Sequence, residues 1–92
     1  MPAPLEVDVV IENEQGLHAR PAAQLVRIAS KYPKAELTVS KGTMSVNGKS
    51  IIGIMMLAAG PGTKLTLRAT GEGADNLLVD LKELVKGRFG EA

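Results

Sequence analysis

The stretch LEVDVVIENEQGLHARPAAQLVRIASKY, Leu5–Tyr32, changes its hydrophobic period once, and that change decides the fold class. From Leu5 to Ile11 the chain alternates. Leu5, Val7, Val9 and Ile11 fall on one side and Glu6 and Asp8 on the other, the period of a strand with one face buried. Glu12 to Gly16 is polar and ends in glycine, which suits a loop. From Ala19 onward Ala22, Leu25, Val26, Ala29 and Tyr32 follow helical spacing. Pro21 lacks an amide hydrogen and belongs in a first turn, so the helix begins close to His18 and is stopped by Pro33.

Beyond this pair the pattern repeats with variations. Leu37 and Val39 alternate with Glu36, Thr38 and Ser40 as a second strand; Lys41-Gly42 is a turn and Thr43 to Val46 a short third strand. Asn47-Gly48 is a turn dipeptide, and Ser50 stands where a helix N-cap is wanted, before Ile51, Ile52, Ile54, Met55 and Leu57. Gly60-Pro61-Gly62 breaks that helix, and Leu65 to Ala69 alternates again. Leu77, Leu78, Leu81, Leu84 and Val85 form the stripe of a last helix, with Asp75 near its start and Gly87 past its end. The order β-α-β-β-α-β-α predicts an α+β fold, a two-layer open-faced sandwich. Three helices cover one face of a four-stranded antiparallel sheet, in one domain over residues 1–92.

Composition narrows the function. Ninety-two residues, 45% hydrophobic and 23% charged, can bury one modest core and no deep enzyme cleft. Eleven basic against ten acidic residues leave a net charge of +1, with no basic footprint for nucleic acid and no polybasic membrane signal. Tyr32 and Phe89 are the only aromatics, too few for base stacking. With no cysteine, disulfides, thiolate metal sites and cysteine nucleophiles drop out. One histidine among scattered carboxylates makes a poor metal site, and no cofactor is expected. The first basic side chain is Arg20 and the longest uncharged stretch, Ser50 to Thr63, is too short for a membrane span. The expectation is a cytoplasmic monomer.

The single histidine sits in Gly16-Leu17-His18-Ala19-Arg20-Pro21, at the mouth of a helix. Free amides and the positive dipole end face outward there, so a phosphoryl group on the imidazole would meet an anion site, with the Arg20 guanidinium as a charged donor. A histidine that merely caps a helix, beside a solvated arginine, has the same address. Gly42 to Ser50 looks like a P-loop but has five residues, not four, between its glycines, and Lys86 to Gly90 looks like an RNA-binding strand but follows a helix. Lys82, Glu83 and Lys86 read as a solvated helix face.

The segment Gly16 to Ala22 resembles the active-site signature of HPr, the histidine-containing phosphocarrier family of the bacterial sugar phosphotransferase system. A second HPr-like segment, Asn47 to Met55, follows at the matching distance, and the similarity covers nearly the whole chain. The resemblance implies that His18 accepts a phosphoryl group, on its Nδ1 nitrogen, from enzyme I charged by phosphoenolpyruvate. It then passes the group to an enzyme II A-type component, while Arg20 and helix amides stabilise the phosphate. The chain would be a relay component more than a stand-alone enzyme.

Ser50 is either a helix cap alone or, as the resemblance adds, a regulatory serine phosphorylated by an HPr kinase and read by a carbon-catabolite transcription regulator. Ile54 and Leu57 are expected to face the core, and Ala19, Arg20, Lys49, Ile51, Ile52 and Met55 a partner interface. Gln15 and Gly48 depart from residues common in the family; Gly48 is expected to loosen the start of the second helix. Two other functions compete: a paralogous carrier of a nitrogen-linked or dihydroxyacetone-kinase relay, and a non-catalytic binding module.

Overall fold

A computed structural model describes residues 3–92. The elements run β1 (Leu5–Val10), α1 (Ala19–Ala29), β2 (Ala35–Lys41), β3 (Met44–Asn47), α2 (Ile51–Met56), β4 (Lys64–Gly71) and α3 (Ala74–Lys86), followed by a short turn at Arg88–Gly90. The predicted order is the observed one. All strand pairs are antiparallel, in the spatial order β1-β4-β2-β3.

β4 lies at the centre because its inward residues are wholly apolar. Leu67 is opposite Val7 on one side and Val39 on the other, and Leu65, Leu67 and Ala69 are buried. Against them pack Ala22, Leu25 and Ala29 of α1, Ile54 of α2 and Leu77, Leu81 and Val85 of α3. Each fully buried leucine contributes about 1.5–3 kcal/mol by leaving water. The other sheet face stays polar: the Arg68 guanidinium donates to Glu6 and Thr66 to Asp8.

Several boundaries shift by a residue or two from the expectation; β4, for one, runs Lys64–Gly71 where Leu65 to Ala69 alternates. β1 stops at Val10, and Ile11, although fully buried, donates its amide to Thr63 O outside the ladder. Leu5, expected on the core face, is 46% exposed. β3 runs Met44–Asn47, one residue later than predicted.

Candidate functional site

His18 is the N-cap of α1, with extended backbone (φ −74°, ψ −175°) and no side-chain cap on the helix. The first amide with a partner inside the helix is that of Ala22, which donates to His18 O at 3.0 Å. Pro21 has no amide hydrogen, so the N–H groups of Ala19 and Arg20 stand at the helix mouth without an intrahelical acceptor. No acidic residue lies in this first turn, in contrast to α3 with Asp75, so nothing on the helix itself neutralises the positive end of its dipole. The Ala19 and Arg20 side chains are exposed beside it.

The approach to His18 is built tightly. Leu17 donates its amide to Ala59 O at 2.9 Å, tying the loop before α1 to the segment after α2. Gly16 sits at φ +64°, and a Cβ there would come within 2.2 Å of the same Ala59 oxygen, so only glycine fits.

Behind the imidazole lies a contact the sequence did not suggest. His18 Nε2 is 2.8 Å from Glu91 Oε1, and Asn13 Nδ2 donates to that oxygen at 2.9 Å and to Gly16 O at 2.8 Å. His18 and Glu91 are partly buried, with side chains 34% and 23% exposed; Asn13 is fully enclosed. Hydrogen bonds from His18, then Asn13, hold the Glu91 carboxyl below its ordinary value against a smaller desolvation effect, and the Arg20 charge adds least. A carboxylate accepts only, so the proton between the two residues sits on Nε2, and in the neutral imidazole the lone pair is then on Nδ1.

The polypeptide brings Glu91 there through the turn after α3. Arg88, Phe89 and Gly90 all take left-handed φ (57°, 56° and 75°), and Phe89 is buried as the anchor. The burial of Phe89 offsets the roughly 1–2 kcal/mol per residue that two non-glycine left-handed conformations cost. The sequence signal available was a lone aromatic just beyond a helix end; no spacing rule links residues 13, 18 and 91.

α2 stands alongside α1. Ser50 caps it, Oγ accepting from the Gly53 amide at 3.0 Å. Ile54 and Leu57 face the core as expected, while Ile51, Ile52 and Met55 are exposed, Ile52 by 73%. Met56, not anticipated, is 62% exposed and widens the apolar patch. Two expectations are corrected. Lys49 points away from this patch, its Nζ donating to Tyr32 O at 2.9 Å and Ala35 O at 2.6 Å, because those carbonyls at the α1–β2 connection hold the ammonium. Gly48 does not loosen the start of α2: it is buried, donates to Leu37 O at 2.8 Å, and a Cβ would meet Leu37 Cδ2 at 2.3 Å. Among the described residues no group of three His, Asp or Glu could hold a metal ion, and no helix is long and apolar enough to cross a membrane.

Comparison with known proteins agrees with this geometry. The family described as PTS HPr component phosphorylation site matches residues 5–87. The phosphocarrier protein HPr of Pseudomonas aeruginosa is 47% identical over 92 residues, covering 99% of this chain and 98% of its own. The phosphocarrier protein NPr of Shewanella violacea is 40% identical over 88 residues, 96% of each chain. Among solved structures, HPr-C-His from Thermoanaerobacter tengcongensis superposes with a TM-score of 0.90 at 41% identity, covering 96% of this chain and 98% of that one.

Proposed function

The chain belongs to the HPr family of phosphotransferase-system phosphocarriers, and from that membership we propose that His18 takes a phosphoryl group from phosphorylated enzyme I and hands it to an enzyme II A-type component. The observation that carries the assignment is the free Nδ1 of His18 at a helix mouth with unspent amides. The nucleophile attacks phosphorus in line, and the three phosphoryl oxygens gather the Ala19 and Arg20 amides and the Arg20 guanidinium as charge-assisted donors. The cradle is shallow, which leaves both faces of the transfer open to a partner protein.

Ile51, Ile52, Met55 and Met56 form the apolar half of the docking surface, and Ala19 and Arg20 its polar half. On this reading Ser50 has two roles. Its Oγ caps α2, and phosphorylation by a kinase would place about 1.5–2 negative charges at the start of α2, beside the apolar patch, repelling a phosphorylated partner. The working location is the cytoplasm.

The test mixes the protein with enzyme I and phosphoenolpyruvate and reads intact mass. One acid-labile phosphoryl group, absent in His18→Ala, is the expected result. A chain that stays unmodified by an active enzyme I would contradict the assignment and favour a binding module. If labelled protein transfers only to a nitrogen-relay acceptor, the NPr-like alternative holds instead.

A further inference from the structure

We propose that Glu91 is a positioning residue for phosphoryl transfer: its carboxylate, held by Asn13, keeps the His18 proton on Nε2 and so presents Nδ1 as the nucleophile. The proposal rests on the reading of His18 as the phosphoryl acceptor.

Three independent features converge on this carboxylate. The first is the 2.8 Å contact to Nε2 itself, which fixes both the tautomer and the plane of the ring. The second is Asn13. Its fully enclosed side chain spends Nδ2 on Gly16 O and Glu91 Oε1 and leaves Oδ1 without a hydrogen-bond partner among the described residues. Turning the amide over would satisfy nothing, since Oδ1 would then face two acceptor oxygens. Gly16 O and Glu91 Oε1 together set the orientation of Asn13, and its buried Oδ1 goes without a donor to keep both bonds. The third is the left-handed Arg88-Phe89-Gly90 turn, strained backbone anchored by Phe89, which carries Glu91 to the ring.

The chemistry gives the carboxylate its task. The Nδ1 lone pair forms the N–P bond while the donor's bond to phosphorus breaks, and that electron pair returns to the donor. The proton on Nε2 is neither gained nor lost. With both ring nitrogens substituted, the imidazole carries a formal positive charge that was absent before transfer. The carboxylate at 2.8 Å faces that charge as it develops, so its attraction is greater in the transition state than in the resting protein. The charged groups facing the pair are Arg20 from α1 and Glu91 from the C-terminal turn, with Asn13 as the polar partner from the loop after β1.

The experiment follows single-turnover phosphorylation by enzyme I at rising enzyme I concentration, for wild type, Glu91→Gln and Glu91→Ala, alongside ¹⁵N spectra of the His18 ring. Glu91→Ala should lower the maximal transfer rate about 10-fold, the low end for a charge-assisted hydrogen bond at a partly exposed site, with half-saturation unchanged. Glu91→Gln, which keeps an acceptor but no charge, should fall between. The ring spectra should show a hydrogen-bonded Nε2 proton in wild type that exchanges rapidly in Glu91→Ala, while backbone amide signals elsewhere stay in place. A wild type that is labelled normally, with Glu91→Ala within about 2-fold of it, would overturn the role of Glu91 and leave the carrier reading intact. A wild type that accepts no phosphoryl group would overturn the carrier reading, and this role with it.

Discussion

The two ends of α1 are treated in opposite ways. At the C-terminal end the polar groups are spent. Ser30, Lys31 and Tyr32 return their amides to carbonyls of the last turn, and the Lys49 ammonium donates to Tyr32 O and Ala35 O. The Tyr32 hydroxyl donates to Asp80 of α3. At the N-terminal end the cap has no side-chain bond, no acid balances the dipole, and two amides have no acceptor inside the helix. What bonding exists there, from Asn13 through Glu91 to His18, lies behind the ring and leaves its front free. The difference teaches where to look: one helix contributes stability at the end whose donors are satisfied and chemistry at the end whose donors are held back.

Substitutions can break that division. The largest effect belongs to His18→Ala, which should abolish phosphoryl uptake in the enzyme I assay while changing unfolding free energy by no more than about 0.5 kcal/mol, the scale of a substitution outside the core. Arg20→Ala should slow transfer by about 10- to 100-fold in the same assay, as loss of a charge-assisted phosphate contact does, with the denaturation midpoint unmoved. Lys49→Met, at the opposite end, should do the reverse: about 1 kcal/mol lost in urea unfolding, as Ala35 O loses the ammonium and Tyr32 O keeps only the Ala35 amide, with the transfer rate kept. A transfer defect in Lys49→Met would break the comparison.

The smallest effect is in pH, and it has opposite signs at the two ends. The Glu91 carboxyl is lowered in the folded protein by its bonds to His18 and Asn13. Its stabilisation is therefore present above the ordinary value of 4.5 and lost as pH falls through the lowered one. The Tyr32 hydroxyl is raised, first by its hydrogen bond to Asp80, so its stabilisation is present below 10.0 and lost as pH rises through the raised value. Amide exchange should show acid loosening the Arg88–Gly90 turn first and alkali loosening the contact between Tyr32 and α3 first.

The fold was legible because its signals are local. Period two in Leu5–Ile11, period 3.6 from Ala22 to Ala29, Pro21 in a first turn and Ser50 as a cap each depend on residues within one or two turns of one another. The front of the site was legible for the same reason, since His18, Arg20 and the helix start are neighbours in sequence. The back was not. Glu91 lies 73 positions from His18 and reaches it only because two non-glycine residues adopt left-handed backbone behind a buried Phe89. Lys49 was misplaced for a related reason: its acceptors, Tyr32 O and Ala35 O, are main-chain atoms whose positions no side-chain pattern reports.

The most direct measurement is to phosphorylate the ¹⁵N-histidine-labelled protein with enzyme I and phosphoenolpyruvate and read the phosphorus–nitrogen coupling in the ring of His18. The geometry predicts phosphorus on Nδ1 with Nε2 still protonated and facing Glu91. Phosphorus on Nε2, or on a residue other than His18, would contradict the division between an open front and a bonded back on which the assignment stands.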